Sequence, residues 1–368
     1  MDIVEFQLAD VAARERYDRL FEACPQAFIQ QSTYWAEVIQ DLGPDEPIFL
    51  LADEGGQSVA GLPLYLFRGV AGNALLSIPH PGPLGGIFVR PGLDAPLLHR
   101  VYEALLARAR ALAQAQQCLA LTLITNPFQD DFPLYQQYLA PTFAYENFTQ
   151  SMVVAESVGA EGQLLLRDAH RRSNLSRNLR QAEAAGFTVK PVETAEELQA
   201  FYAVHVQRHQ ELGVPPLDFR LFENIRQHLE PRHKSLMLLV KSGHEIASGC
   251  IYIYHRDVLD VLRLTRSAPF EKQSPNYLNT AWSLAWARRA GIQVYNWQSS
   301  TQRDDGVYRY KQQWASRESK YYFVTRLLCE PERLQAIGLA VLQRDYAGHF
   351  LVPYAAFEQG FAQTIYRK

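Results

Sequence analysis

The chain has 368 residues, 48% of them hydrophobic, which is enough for a sizeable core and more than one domain usually spans. Its 36 basic and 39 acidic residues nearly cancel, so no global charge draws it to DNA, and any nucleic-acid contact must come from a local patch. Cys24, Cys118, Cys250 and Cys329 lie far apart without a Cys-x-x-Cys pair, which argues against a zinc site and a disulfide framework and fits a reducing compartment. No apolar run approaches the roughly 18 residues of a membrane span, and Met1 to Glu5 does not open a leader, so the expectation is a soluble, cytoplasmic protein.

In chain order, the first readable unit is a hairpin. Phe49-Leu50-Leu51-Ala52 leads to a turn at Glu54-Gly55-Gly56 and a second strand, Val59 to Leu66, with Gly61 inside it. The same form returns at Met237-Leu238-Leu239-Val240, a turn at Ser242-Gly243-His244, and Ile246 to Tyr254 with Gly249 inside. Glycine within a strand marks a bulge or a close approach of another group. Asp94 can cap a helix over residues 94–114, with Leu97, Val101, Leu105 and Leu112 at helical spacing, before a strand over 119–124. The second copy has a helix over 275–289, a stop at Gly291 and a strand over 292–297. The shared order of elements points to a duplication, two related α/β units with a boundary at 155/156, over residues 1–155 and 156–368.

Between the hairpins, residues 161–185 have helix-forming composition and carry Arg167, Arg171, Arg172, Arg177 and Arg180 against only Asp168 and Glu183 beyond the first residue. Leu175, Leu179 and Ala182 form its apolar stripe. Arg177 and Arg180 fall on the opposite face, a layout suited to phosphates or simply to solvent. A helix over 195–212 sets His205 and His209 four apart, but without the glutamate of His-Glu-x-x-His or a third ligand, so no metal is expected.

Late in the chain a strand ending Asn296-Trp297 opens into polar residues 298–305 and then Gly306-Val307-Tyr308-Arg309-Tyr310-Lys311-Gln312-Gln313-Trp314. A lysine between aromatics just past a strand end stands where open sheets place ligand-handling groups. Trp297, Tyr308, Tyr310 and Trp314 either stack on a substrate or pack a core.

Several of these segments together resemble FemAB-like transferases, within the wider superfamily of the Gcn5-related N-acetyltransferase (GNAT) fold. They are Phe28 to Trp35, Arg177-Asn178-Leu179-Arg180-Gln181-Ala182, Phe201 to His205 with Arg208 and Gly213-Val214-Pro215, and Gly306 to Trp314. The resemblance implies an α/β (α+β) architecture of two tandem GNAT domains, with mixed sheets flanked by helices. It implies acyl or aminoacyl transfer to a small amine-bearing acceptor, as in cell-envelope or polysaccharide synthesis, with the donor either an aminoacyl-tRNA or an acyl-coenzyme A and no permanently bound cofactor. Tyr310-Lys311 matches the family's Phe-Lys pair, making Lys311 the stabiliser of the developing oxyanion and Tyr310 a wall of the acyl pocket. The amine's proton would go to a carboxylate, with Asp304 or Asp305 the nearest by sequence, to a water chain, or to the donor's own leaving group. Arg177, Arg180, His205, Arg208, Trp297, Tyr308 and Trp314 are then expected to bind substrate.

The chain also departs from the family. Asn296, Gln298 and Ser299 replace an acid, a glycine and an arginine, and Ala315 replaces a glycine. Gln273 to Asn279, at the place of the coenzyme A pyrophosphate turn, contains no glycine, which disfavours that donor in the second unit. A coenzyme A-dependent acyltransferase on an amino sugar or amino acid, and a duplicated fold that binds without turnover, remain as alternatives. A tail helix through Leu334, Ile337, Val341 and Leu342 is expected to pack back on a domain.

Overall fold

The computed structural model describes residues 1–78, 84–165, 169–300, 302–361 and 364–367, without the side chains of 169–173 and 358–359. The chain divides into two compact units, residues 1–148 with 320–368, and residues 149–319.

The first unit contains β1 (Asp2–Phe6), α1 (Val11–Ala23), α2 (Thr33–Ile39), β2 (Glu46–Glu54), β3 (Gln57–Gly69), β4 (Gly72–Leu76), β5 (Phe88–Val89), α3 (Ala95–Ala115), β6 (Cys118–Ile124) and α4 (Phe132–Leu139). Strand β7 (Phe143–Val153) carries the chain into the second unit. There follow α5 (Val154–Ser157), α6 (Ala169–Ala184), β8 (Thr188–Pro191), α7 (Ala195–Leu212), α8 (Phe219–Asn224), β9 (Ser235–Ser242), β10 (Glu245–His255), β11 (Val258–Arg266), α9 (Pro275–Arg289), β12 (Val294–Asn296) and α10 (Gly306–Gln313). Strand β13 (Arg317–Leu327) returns to the first unit, completed by α11 (Pro331–Ile337), α12 (Leu339–Asp345), α13 (Ala355–Gln359) and β14 (Ile365–Arg367).

In the first unit the strands run side by side in the order β1-β2-β3-β4-β6-β13, with β4 and β6 parallel and the other neighbours antiparallel. In the second, the end of β7 is followed by β12, β11, β10, β9 and β8, and only β11 and β12 are parallel. Each unit thus repeats one plan: a hairpin, a third strand, a helix, and a strand parallel to the third.

The repeat extends to single residues. In β3 the register shifts so that Val59 is an extra residue against β2, and Gly61 follows two positions later. In β10 the extra residue is Ala247, and Gly249 follows two positions later. Both glycines exist to seat a ring. A Cβ on Gly61 would lie 2.5 Å from Phe88 Cζ and 2.7 Å from Tyr17 Cε2, and one on Gly249 would lie 2.2 Å from Phe201 Cε2. Tyr17 belongs to α1 and Phe201 to α7, each the longer of the two helices between its unit's first strand and its hairpin. The strand glycines therefore mark both a bulge and a close approach.

Each unit has its own core. In the first, Val101, Tyr102, Leu105, Leu106 and Ala109 of α3 pack on Leu50, Leu62, Leu64, Leu121 and Leu123. In the second, Leu284 and Ala287 of α9 pack with Leu238, Cys250, Tyr252, Leu259 and Tyr295.

The expected division at 155/156 needs two corrections. The first unit ends at Phe148, and residues 320–368 join it instead of the second unit. The physical reason is that β13 pairs with β6, from Phe323↔Ile124 to Leu327↔Ala120, while Leu334, Leu342, Tyr346, Leu351 and Val352 bury against Phe67, Leu76 and Leu119. The tail helix is also broken in two, because Gly338 sits at φ 83° between α11 and α12.

Candidate active site

The site of interest lies in the second unit, where two parallel strands part. Strands β11 and β12 share three rungs, Val258↔Val294, Leu259↔Tyr295 and Asp260↔Asn296. Beyond them each strand turns elsewhere. On β11, Tyr252↔Val261 and Ile251↔Arg263 leave Leu262 without a partner on β10, a bulge that bends and twists the strand. On the other side, Trp297 N donates to Gln150 O at 2.8 Å and Gln150 N donates to Gln298 O at 3.3 Å, which ties the chain to β7. Gln298 takes a left-handed conformation at φ 58°, uncommon for a residue with a side chain.

The last rung is fixed by side chains. Asn296 Nδ2 donates to Asp260 Oδ1 at 2.6 Å, and Asn296 Oδ1 accepts from Thr149 Oγ1 at 2.6 Å and from Gln298 N at 3.2 Å. All three side chains are buried.

Helix α10 brings Lys311 to this opening. The side chain is 5% exposed, and Nζ donates to Gln298 O at 3.0 Å and Ser299 O at 2.8 Å. A buried ammonium needs such oxygen partners, and here they are the carbonyls of the loop that leaves β12. Tyr310, next to it, donates to Asn276 O at 3.0 Å and pairs with Thr280 Oγ1 at 2.9 Å, and burial raises its phenol pKa well above the usual value. The Lys311 and Tyr310 pair therefore joins α10 to the β12 loop and to the start of α9.

The remaining expected site residues divide sharply. Asp305 is the N-cap of α10: Oδ1 accepts from Tyr308 N at 2.6 Å and Oδ2 from Gln302 N at 3.2 Å, so both carboxylate oxygens serve backbone N–H groups. Trp297 and Trp314 are 3% and 1% exposed and belong to the core, with ring centroids 6.2 Å apart and each about 6 Å from Tyr310. Tyr308 is half-buried and donates to Glu318 Oε1 at 2.7 Å, which raises its pKa. Arg177 and Arg180 are exposed on α6, and Arg180 Nε returns to Ser176 O of its own helix. Arg167 and Asp168, and the side chains of Arg171 and Arg172, lie outside the described residues.

His205 is fully buried and accepts from Leu217 N through Nε2 at 3.0 Å; burial, then His209 and Arg263, lower its pKa to about 3. Arg208 pairs with Glu211 at 2.8 Å along the same helix. Among the described residues no three His, Cys, Asp or Glu side chains gather as a metal site, and no helix is long and apolar enough to cross a membrane.

Sequence reasoning singled out Lys311 and Tyr310, which lie against this loop and the start of α9, but passed over Asp260, Thr149 and Gln150, which hold the last rung and the loop. Gln150 accepts from Ser300 Oγ at 2.8 Å and donates to Tyr308 O at 3.3 Å. These are scattered polar residues in apolar strands, and their only local signal is polarity at positions that alternation would bury.

Residues 169–312 match the family model of the acetyltransferase (GNAT) domain. The second unit carries a GNAT-type domain. Solved structures extend the likeness of fold to both units. FemX is 16% identical with a TM-score of 0.66, covering 92% of this chain and 100% of its own. A tandem GNAT protein from the clavulanic acid biosynthesis pathway is 12% identical with a TM-score of 0.55, covering 89% and 99%. L-PGS from Bacillus licheniformis is 10% identical with a TM-score of 0.58, covering 91% and 98%. No curated protein matches the chain in sequence. The architecture is two GNAT-fold units in tandem.

Proposed function

We propose that the chain is an N-acyltransferase that moves an acyl or aminoacyl group to an amine, with the chemistry in the second unit and aminoacyl-tRNA as the donor. The observation that carries this reading is Lys311, held by two carbonyls at the mouth between the parting strands of a GNAT domain.

The amine nitrogen attacks the donor's ester carbonyl, a new N–C bond forms, and the carbonyl oxygen takes up negative charge. An ammonium already fixed by the fold lowers the energy of that oxyanion without reorganising at the moment of reaction. Collapse breaks the ester C–O bond, and the departing ribose oxygen takes the proton the amine gives up. Asp305, committed to backbone N–H groups, is left out of this account.

The choice of an aminoacyl-tRNA over acyl-coenzyme A rests on the start of α9. A coenzyme A pyrophosphate needs free backbone N–H groups at a helix N-terminus. Here the first helical residue is Pro275, which has no N–H, and Ser274 before it stands at φ 59°. The turn is also covered: Gln181 of α6 donates to Lys272 O, and Ser274 Oγ lies 3.4 Å from Gln181 Oε1. The resemblance of several segments to FemAB-like transferases, together with a fold shared with FemX, supports the same choice.

The test is product formation from a pool of charged tRNA and, separately, from acetyl-coenzyme A, with nucleotide-linked amino sugars, free amino acids and peptides as acceptors. Product from charged tRNA alone is expected. Product from acetyl-coenzyme A alone would reverse the donor assignment, and no product from any donor would leave the chain a binding module.

A further inference from the structure

A second group of polar side chains faces the sheet from the side of α7. Phe201, His205 and His209 succeed one another at four-residue steps on this helix, and all three are buried. Phe201 seats on Gly249 of β10. Gly249 pairs with Thr265 and Ile251 pairs with Arg263, and side chains of paired residues share a face, so Thr265 and Arg263 point to the α7 side. The His205 and His209 ring centroids are 4.1 Å apart, and the charge of Arg263 acts on both histidines.

Three side chains of this cluster carry a hydrogen-bond donor that has no acceptor. Leu217 N–H occupies Nε2 of His205, so the neutral ring carries its proton on Nδ1, and Nδ1 has no partner. Thr265 Oγ1 and Arg263 Nε have none either. Arg263 makes no hydrogen bond or ion pair with any described residue. His205 is 0% and Thr265 3% exposed, so water does not serve them freely. Buried donors left unpaired are costly, and in half-buried Arg263 the Nε–H is likewise cut off from water. Three together describe a site waiting for an acceptor.

We propose that Arg263, His205 and Thr265 form a carboxylate-binding pocket that orients the amine-bearing acceptor, which is then an amino acid or a peptide end. A carboxylate matches the donor geometry of one guanidinium edge flanked by single N–H and O–H groups. Charge selects it over a phosphate monoester. His205 stays neutral and His209 gives its Nδ1–H to Pro215 O at 2.8 Å, so Arg263 supplies the one sure positive charge, which balances a monoanion and leaves a dianion uncompensated. Position supports the role. Arg263 lies three residues past the last β11–β12 rung, and the carbonyls that hold Lys311 lie two and three residues past it on the other strand. Both therefore belong to the segments that leave the last rung.

The role in orienting the acceptor rests on the acyltransferase reading; the pocket itself does not. The first experiment titrates acetate, and separately inorganic phosphate, into protein labelled with ¹⁵N in the imidazole rings. A saturable shift of the His205 Nδ1–H signal by acetate is expected, weakened at least tenfold in Arg263→Gln and severalfold in Thr265→Val. Absence of a saturable shift, a shift that survives in Arg263→Gln, or tighter binding of phosphate than of acetate overturns the pocket. If Arg263→Gln is poorly folded, Thr265→Val, which keeps shape and removes the hydroxyl, carries the same comparison. The second experiment reads acceptor KM: Arg263→Gln is expected to raise it at least tenfold for acceptors with a free carboxylate and to leave it unchanged for their carboxamides. Equal effects on both overturn the orienting role. Loss of turnover with every donor in the unaltered protein would instead count against acyl transfer, while acetate binding would still report on the pocket.

Discussion

Asn296 gives its side-chain N–H to the carboxylate of Asp260 at 2.6 Å, across the final rung before β11 and β12 diverge. An amide is the right partner for a buried carboxylate here because it donates to Asp260 while its own oxygen accepts from Thr149 and from Gln298 N. Neither a second acid nor an apolar residue reproduces both bonds. Asn296→Asp is therefore expected to set two buried carboxylates against each other, forcing one to hold a proton. The melting temperature should fall at pH 8 and recover in part toward pH 5; a drop of equal size at both values would contradict the like-charge account.

Lys311 holds the loop that leaves β12 through two carbonyls. Lys311→Met keeps the apolar stem but removes the donors to Gln298 O and Ser299 O, leaving buried carbonyls unmatched. A loss of about 2–3 kcal/mol is expected in urea unfolding, the usual worth of charge-assisted hydrogen bonds. Transfer activity should fall by 10²-fold or more, while Lys311→Arg recovers stability better than rate. A Lys311→Met protein with unchanged stability would show that the carbonyl contacts carry little weight.

His205 makes stability depend on acid. Its pKa falls to about 3 in the fold, against about 6.5 for an unperturbed histidine. Between those values the unfolded chain binds a proton that the folded chain refuses, so this contribution is complete above pH 6.5 and is lost as pH falls. The slope is at most about 1.4 kcal/mol per pH unit for one group. His205→Gln, which does not titrate, should flatten the dependence measured by urea unfolding at pH 7.5, 6.5 and 5.5. An unchanged slope would mean that another group governs it.

The seated rings predict matching lesions in the two units. Gly249→Ala drives a methyl into buried Phe201, and Gly61→Ala drives one into Phe88 and Tyr17. Each should cost about 1–3 kcal/mol by overpacking. Adding Phe201→Leu to Gly249→Ala should restore part of the loss, which chemical denaturation of the single and double variants can measure. If Gly249→Ala is neutral alone, Phe201 has room to move.

Much of this architecture was legible because local signals and packing agree. The helix over 275–289 starts at Pro275 and ends before Gly291, as α9 does, and Asp94 caps α3 through Leu97 N at 2.8 Å. The aromatic run after Asn296 mostly packs the core, with Trp297 and Trp314 nearly inaccessible. What escaped was set by partners distant in sequence. The strand over 292–297 is only Val294–Asn296, because Trp297 already bonds to Gln150, nearly 150 residues earlier. Asp305 looked like an acid near the chemistry and is a cap, a role that its position before Gly306 allowed but did not demand. Arg263 and Thr265 gave no signal at all: alone in a strand they are ordinary polar residues, and only Gly249, Phe201 and the register show which way they face.

Because β13 and the tail after it belong to the first unit, that unit is interrupted, and residues 149–319 are an insertion within it. A ribosome releases the chain from its N-terminus, so the inserted unit has all of its strands before β6 meets its last neighbour. Until then the β6 edge and the apolar surface around Phe67, Leu76 and Leu119 stand uncovered. A nascent chain stalled near residue 320 would hold one finished domain and one open one, and the open one is where chaperones would bind and where a C-terminal truncation would aggregate.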